Sequence, residues 1–367
     1  MLENALKYFE NVNDPRSSRN QRHPLMMIIG TTLLASLAGI DSFSGYADFT
    51  EAHQEELKAY FDFPHGVPSH DTYQRFWDSV SPTEFLECFH SFSSALAALM
   101  GKYLNIDGKT IRHSGQENPL HIVSAWCQSN QMVLAQEKVS DKSNEITAVP
   151  KLLKLLDLRD KIVTLDAMGT QRNSCAQIIE QGGDYVISLK GNQGTLHEDV
   201  MTYFADPRFL SSCESFEEND KGHGRLEQRT AYVCGDIEWL QKTHAWPGLK
   251  SIGVVKTKVE KAGKTTEEER FYITSLPACA RQLGEAARLH WGIENQLHWR
   301  LDVVFNEDNA CIRNDNAAEN VDILRKWALN VLQKAKQKPE QSIKSLMRKN
   351  AMSFKHLLQV VNRVFLA

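Results

Sequence analysis

Three acidic residues stand in sequence contexts that could hold divalent metal ions. Asp107 ends the strand-like run 103–107, and Asp166 ends a second such run, 161–166. Glu294 lies in a long helical pattern over residues 281–299. Mg²⁺ prefers oxygen ligands, and sites that hold two such ions drive in-line displacement at phosphorus. Two carboxylates at strand ends and a third on a later helix therefore indicate a candidate site for phosphate chemistry.

Each of the two aspartates also has a simpler structural interpretation. The pair Asp107-Gly108 is typical of a hairpin turn. Asp166 could form an Asx turn or cap a helix, although the carboxyl end of a strand is also where open α/β sheets usually bind ligands. From the sequence alone, both interpretations stay open for both residues.

Glu294 is distinguished by its neighbours on the predicted helix. His290 and His298 lie four residues before and after it, so the three side chains share one helix face. Trp291 and Leu297 flank that face, which is therefore unlike a plain solvated surface. One alternative is a His-Glu-His site for a transition metal, since imidazole suits zinc or iron, but the H-E-x-x-H motif is absent.

The composition indicates a globular protein with room for two domains. The chain has 367 residues, of which 42% are hydrophobic and 24% are charged. Its seven cysteines are scattered and form no C-x-x-C pair, which argues against a disulfide framework or a structural zinc site and suits a reducing cytoplasm. The apolar run 25–40 is shorter than the roughly 20 residues of a membrane span and predicts a buried helix.

Charge is distributed unevenly along the chain. The net charge is −4, but the segment from Arg325 onward has ten Lys or Arg against one acidic residue, Glu340, a local charge of +9. The rest of the chain therefore carries −13. Such a basic end suggests a polyanionic partner, and a solvated helix face is the alternative.

The order of predicted elements indicates an α/β protein with additions at both ends. Residues 1–95 are predicted to be a helical N-terminal module. The chain then shows the order β-β-β-α-β-α-β up to residue 189, which suggests a meander followed by parallel strands. Residues from about 191 to 280 are predicted to be a β-rich insertion. Long helices follow at 281–299 and 317–336, and basic helices continue over about 317–367.

With these motifs in view, the chain resembles the DDE-type insertion-sequence transposases of bacteria, and specifically the H-repeat-associated family. The resemblance extends over nearly the whole length. It is carried jointly by His70-Asp71-Thr72, Ile106-Asp107-Gly108-Lys109-Thr110, Asp141-Lys142-Ser143-Asn144-Glu145-Ile146-Thr147-Ala148, Thr164-Leu165-Asp166-Ala167-Met168-Gly169, Lys190-Gly191-Asn192-Gln193, His223-Gly224-Arg225, His290-Trp291 and Leu297-His298-Trp299-Arg300-Leu301-Asp302-Val303.

The resemblance implies an RNase H-like catalytic domain over residues 96–367. In that fold the strands bearing Asp107 and Asp166 are neighbours, and the helix bearing Glu294 packs over the sheet. The family's chemistry implies that Asp107 bridges two Mg²⁺ ions, with Mn²⁺ as a substitute, while Asp166 binds one ion and Glu294 the other. The implied partner is double-stranded DNA, bound by a homodimer in the bacterial cytoplasm at the nucleoid, without a membrane.

Several basic and polar residues are expected to contact DNA. The helix departs from many related transposases, because Ala287, His290 and Leu301 stand where a Tyr, an Arg and a Lys are usual. We expect His290 and Arg300 to take over the phosphate contacts. Asp302, Glu307 and Asp308 are rivals of Glu294 for the third ligand position. The residues expected to bind DNA are Lys109, Lys190, Asn192, His223, Arg225, His290, His298 and Arg300.

The sequence leaves three functions open. The first is a transposase that cleaves DNA and transfers strands at the ends of its element. The second is a nuclease on the same fold, and the third is an inactive or domesticated DNA-binding remnant. For recognition of element ends we favour the N-terminal module, where Arg16, Arg19 and Arg22 precede the first apolar helix. The alternatives are the insertion, or a module that only braces the core.

Overall fold

The protein is a mixed α/β structure built on one large sheet. The computed structural model describes residues 2–96, 101–115, 119–140, 145–222, 224–310 and 312–365. Within these residues the chain forms nine strands in a single mixed sheet and sixteen α-helices. The prediction of an α/β protein with a mixed sheet is therefore confirmed. No helix in the same residues is long and apolar enough to cross a membrane.

The strands and helices have the following bounds. The strands are β1 (Tyr103–Thr110), β2 (His121–Cys127), β3 (Met132–Lys138), β4 (Ile162–Leu165), β5 (Asp184–Leu189), β6 (Glu214–Gly222), β7 (Arg225–Cys234), β8 (Ser251–Lys261) and β9 (Lys264–Thr274). The helices are α1 (Leu2–Leu6), α2 (Leu25–Leu37), α3 (Phe43–Ala52), α4 (Gln54–Leu57), α5 (His70–Ser79), α6 (Pro82–Leu96), α7 (Glu145–Leu153), α8 (Arg172–Glu180), α9 (Thr195–Ala205), α10 (Pro207–Ser212), α11 (Glu238–His244), α12 (Ala280–Gly292), α13 (Trp299–Val303), α14 (Asp315–Ala335), α15 (Ile343–Met352) and α16 (Phe354–Phe365).

The sheet has the strand order β3-β2-β1-β4-β5-β9-β8-β7-β6. Strands β1, β4 and β5 run parallel to one another, and the remaining neighbours are antiparallel. All four residues of β4, Ile-Val-Thr-Leu, are buried, as expected for a central parallel strand with helices on its faces. Asp166 directly follows β4, whereas Asp107 lies inside β1, which continues to Thr110 and does not end at residue 107 as the sequence indicated.

The strands after β5 extend the same sheet. The sequence predicted β-structure at 230–234, 249–259 and 270–275, and these residues fall within or beside β7, β8 and β9. Strand β6 was not predicted, because its sequence is acidic and polar. Most of its residues are exposed, and it forms the last strand of the sheet, where charged side chains are usual.

The N-terminal helices share their hydrophobic core with the C-terminal helices. Phe9, Phe85 and Phe92 are fully buried in one cluster with Trp327 of α14. A buried amide also joins α14 to α5, because Asn320 Nδ2 donates to the Trp77 carbonyl at 3.0 Å. Residues 1–95 are therefore helical, as the sequence indicates, and they pack against the end of the chain. The domain boundary at residue 95 stays a prediction.

Candidate active site

The two aspartates lie at adjacent positions of neighbouring parallel strands. Ile106 of β1 is in register with Leu165 of β4. The next residues, Asp107 and Asp166, therefore lie side by side, where β4 ends. Asp107 lies inside β1, so its pairing with Gly108 does not form a hairpin turn. Asp166 directly follows β4, and its Oδ1 accepts a hydrogen bond from the Gly169 amide at 3.0 Å. Asp166 therefore both forms a turn and lies beside Asp107 at the carboxyl end of β4.

Glu294 is carried by a helix that changes its winding over the sheet. Helix α12 continues into a π-helical segment, Ile293–His298, and then into α13. Such segments are rare and occur mostly at functional sites. Asn105 of β1 donates to the Leu289 carbonyl at 2.6 Å, just before the π segment. Gly292 permits close packing there, because a Cβ at this position would lie 2.1 Å from Gln128 Oε1.

The π segment brings Glu294 and His298 to Asp107. His298 Nδ1 lies 3.1 Å from Glu294 Oε2 and 3.9 Å from Asp107 Oδ2. One donor atom from each of these three residues lies within 4.8 Å of the others. Asp166 lines the same cleft as Asp107 and Glu294, a cavity of about 410 Å³. The structure therefore brings the three predicted acids together.

The electrostatics of this cleft disfavour ionisation of its two aspartates. Burial, together with the neighbouring Glu294 and Asp166, raises the pKa of Asp107 to about 8. Burial also raises the pKa of Asp166, although the Gly169 amide opposes the change. The hydrogen bond with His298 lowers the pKa of Glu294. Crowded carboxylates whose ionisation is costly are a suitable donor set for a divalent cation, so the residues fit the implied metal.

His290 faces the same cleft but has a different environment. Thr164 Oγ1 donates to Asn105 Oδ1 at 2.9 Å and lies 2.8 Å from His290 Nδ1. A hydroxyl has one proton to donate, so His290 Nδ1 must donate to Thr164. Burial lowers the pKa of His290 to about 4. The imidazole is therefore neutral at pH 7, and its contact with phosphate stays a prediction.

The loops after β4 and β5 are joined beside the acids. Lys190 is exposed and lines the cleft. Asn192 Nδ2 donates to the Ala167 carbonyl at 2.6 Å, so it holds the loop that follows Asp166. Lys190 thus has the position expected of a phosphate contact, whereas the amide nitrogen of Asn192 is used within the protein.

The other predicted DNA contacts lie in separate surroundings. Lys109 Nζ lies 2.7 Å from Asp302 and 3.0 Å from Glu307, and its side chain is only 11% exposed. The three rival acids, Asp302, Glu307 and Asp308, all surround this ammonium group. These three acids and Lys109 are paired with one another, so in this arrangement none of them is available to bind a metal ion or DNA.

Arg300 and Arg225 are directed to other partners. Arg300 Nη2 donates to Gln131 Oε1 at 2.9 Å, at the turn between β2 and β3. Arg225 is exposed on β7 and pairs with Glu227. His223, the remaining predicted contact, lies outside the described residues, as do residues 141–144 of the motif that precedes α7. Contacts of these residues with DNA stay predictions.

Sequence reasoning did not single out Glu145 and His121. Glu145 begins α7, is 8% exposed, and influences the ionisation of both Asp107 and Asp166. His121 Nε2 lies 2.7 Å from Glu145 Oε1. The signal that could have identified Glu145 was its position within a family motif, but its sequence context is that of an ordinary first helical turn.

Comparisons with known proteins identify the family of the chain. The family model described as "Transposase DDE domain" matches residues 103–331, and the model described as "DDE_Tnp_1-associated" matches residues 6–93. The chain therefore belongs to the DDE transposase family, and the resemblance to its H-repeat-associated members is confirmed.

Two relatives from Escherichia coli (strain K12) match almost the full length. One is named "H repeat-associated putative transposase YhhI" and is 37% identical over 98% of both chains. The other, YbfL, is 38% identical over 98% of both chains. Among solved structures, a piggyBac transposase synaptic complex with hairpin DNA matches with a TM-score of 0.48 and 13% identity, covering 98% of this chain and 77% of that one. Similarity at that level supports no conclusion about function.

Proposed function

We propose that the protein is a transposase that binds the ends of its own insertion sequence, cleaves the DNA there and transfers the strand ends to a target. The observation that carries this proposal is the convergence of Asp107, Asp166 and Glu294 on one cleft. The five strands β3-β2-β1-β4-β5, with the Glu294 helix over them, are the part we propose to be an RNase H-like core.

The acids of the cleft would hold divalent cations, Mg²⁺ or Mn²⁺. When bound, the cations would activate the attacking oxygen and stabilise the leaving oxygen of a DNA phosphodiester. Asp107 is close enough to both other acids that Glu294 and Asp166 each disfavour its ionisation. Lys190 at the rim of the cleft offers a positive charge to the DNA backbone. Neutral His290 presents its second ring nitrogen as an acceptor.

Substitution of each acid tests the proposal. We expect Asp107→Asn, Asp166→Asn and Glu294→Gln each to abolish metal-dependent cleavage of a plasmid that carries the element's terminal repeats. Glu238→Gln is the matched control and should cleave at the wild-type rate, because Glu238 is exposed at the start of α11 and does not line the cleft. Wild-type cleavage by any one of the three variants would exclude that residue as a metal ligand.

The products of the same assay separate the alternative functions. A transposase joins the cleaved 3′ end to a second DNA molecule, whereas a nuclease produces only hydrolysed ends. An inactive remnant binds the repeats without cutting them. Strand-transfer products that require Asp107 would support the proposal, and hydrolysis alone would favour the nuclease.

We further propose that the N-terminal helices recognise the element's ends. Arg19 and Arg22 are exposed, whereas Arg16 is held by Asp14 at 2.7 Å and lies over Phe76. Because the N-terminal helices share a core with α14–α16, the test uses the full chain. Arg19→Ala/Arg22→Ala should reduce the preference for a terminal-repeat duplex over a scrambled one. Unchanged discrimination would assign recognition to another region, such as the strands that carry Arg225.

DNA in this scheme is bound by two copies of the chain. A synaptic assembly needs two ends held together, and a homodimer provides one active site for each end. The mass of the complex with terminal-repeat DNA, measured by light scattering, should correspond to two chains. A mass of one chain per duplex would contradict this part of the proposal.

A further inference from the structure

We propose that His298 is a nitrogen ligand of the candidate metal centre, so that one cation is held by an imidazole together with the carboxylates of Asp107 and Glu294. This inference rests on the proposed function, because it concerns the same cleft. It goes beyond a centre made only of carboxylates, because an imidazole nitrogen would favour Mn²⁺ over Mg²⁺.

The distances already suit a single coordination sphere. Around an octahedral ion with bonds of about 2.1 Å, adjacent ligand atoms lie about 3 Å apart and opposite ones about 4 Å apart. His298 Nδ1 is 3.1 Å from Glu294 Oε2 and 3.9 Å from Asp107 Oδ2. The first separation matches adjacent ligands, and the second falls between the two values. A cation could therefore contact all three atoms after only small side-chain rotations.

His298 is fixed in this position by its surroundings. Its side chain is 7% exposed, and Ile293, Leu297 and Leu301 on the same helical stretch are buried. The Nε2 atom is buried and has no hydrogen-bond partner among the described residues, so Nδ1 is the ring atom that faces polar groups. A buried imidazole directed at two carboxylates has the rigidity that a metal ligand requires.

The two histidines on this helix face differ in availability. His290 uses Nδ1 as the donor to Thr164. Within the described part of the chain, the polar partners of His298 Nδ1 are the carboxylates of Glu294 and Asp107. The sequence places His290 and His298 symmetrically about Glu294, but in the structure their Nδ1 atoms have different partners. The geometry therefore assigns the metal contact to His298.

A nitrogen ligand changes which metal the centre prefers. Mg²⁺ favours oxygen, whereas imidazole suits transition metals, and site affinity generally rises from Mn²⁺ along the first row. We expect the wild-type protein to bind Mn²⁺ more tightly than Mg²⁺ by about tenfold or more. His298→Asp replaces nitrogen by oxygen and should reduce this ratio while retaining Mn²⁺ binding.

The direct test is pulsed electron paramagnetic resonance of Mn²⁺ added to the full-length protein without DNA. We expect a ¹⁴N hyperfine coupling from one bound imidazole. When the protein is grown with ¹⁵N-histidine, a ¹⁵N coupling should replace it. The coupling should be lost in His298→Asp and retained in His290→Asn. The isotope experiment needs no substitution, so a missing histidine coupling overturns the inference even if His298→Asp fails to fold. If the coupling is present, its retention in His290→Asn excludes the other imidazole of this helix face.

Two negative outcomes have different meanings. Mn²⁺ that binds in an Asp107-dependent manner but shows no histidine coupling would overturn the inference and leave His298 as a residue that only orients Glu294. Mn²⁺ binding that survives both Asp107→Asn and Glu294→Gln would instead show that the centre itself is elsewhere, which contradicts the proposed function.

Discussion

Lys109 Nζ lies 3.0 Å from Oε2 of Glu307, a carboxylate with no solvent exposure. Lys109 is two residues beyond Asp107 on β1, and its second partner, Asp302, is on the helix that continues from Glu294. Burial lowers the pKa of Lys109, but the surrounding carboxylates outweigh this effect and raise it overall. The ion cluster therefore joins the strand that carries Asp107 to the helical stretch that carries Glu294.

Loss of this ammonium group should affect both folding and metal binding. Lys109→Met leaves Glu307 buried without its nearest cation, a change that typically costs about 3–5 kcal/mol of stability. We expect a lower melting temperature together with weaker Mn²⁺ binding at temperatures where the variant is folded. Calorimetric unfolding and metal titration measure the two effects separately.

Lys138→Met is the matched control for this experiment. It breaks the 3.1 Å pair between Lys138 and Glu319, which joins β3 to α14 away from the cleft. That variant should lose stability without losing metal affinity. If Lys109→Met binds Mn²⁺ as tightly as the wild type, the cluster contributes to stability alone.

Gly108 is required by the space beside the acids. A Cβ at this position would lie 2.1 Å from Glu145 Oε1 and 2.6 Å from His121 Nε2. Gly108→Ala should therefore displace the Glu145–His121 pair and lower cleavage by about tenfold or more, as expected when groups that support a metal site move. The assay is cleavage of the same plasmid at saturating metal.

Gly222→Ala is the control for the added methyl group. Gly222 ends β6, and a Cβ there meets no atom within 4 Å. This variant should cleave at the wild-type rate. Equal activity of Gly108→Ala and the wild type would show that the Glu145–His121 pair can move without consequence.

The pKa of Asp107 predicts how metal-free stability depends on pH. In the folded protein Asp107 keeps its proton up to about pH 8, whereas an aspartate in the unfolded chain ionises near about pH 4. Between these values the folded state binds more protons, so the contribution of Asp107 to stability falls as the pH rises. In EDTA, the melting temperature of the wild type relative to Asp107→Asn should decrease by several degrees from pH 5 to pH 8. A difference that does not change with pH would contradict the prediction.

The basic C-terminal segment is predicted to bind DNA through the phosphate backbone. Arg325 and Lys326 are buried, so they do not belong to an exposed basic surface. Neutralising Lys334, Lys336 and Lys338 should weaken binding to all sequences equally. It should also flatten the slope of log affinity against log salt by about one unit for each phosphate that is no longer neutralised by a lysine.

The control for charge alone is Arg159→Gln. Arg159 is 77% exposed at the turn before β4 and pairs with Asp157. Its substitution should leave the salt slope unchanged. If the triple lysine variant also leaves the slope unchanged, the C-terminal segment is a solvated surface.

The sequence predicted the site best where periodicity and chain order determine the structure. The frame of Asp166 identifies a strand end, whereas the strand of Asp107 continues to Thr110, beyond its predicted end. The parallel pairing of β1 with β4 follows from the intervening helix. Helix spacing placed His298 beside Glu294, but the approach of His298 to Asp107 and the ion cluster around Lys109 could not be predicted in this way. They depend on the π segment, which shifts the helix register, and on long-range packing between β1 and the helix end. Neither leaves a periodic signal in the sequence.

Strand β9 pairs with β5 from Val186 opposite Thr274 to Leu189 opposite Phe271. The hairpins formed by β6–β9 therefore continue the central sheet without a break in strand pairing. Arg225 on β7 and Lys190 after β5 are thus carried by one sheet, so the spacing between them is set by paired strands. DNA that bound both residues would have to match that fixed spacing.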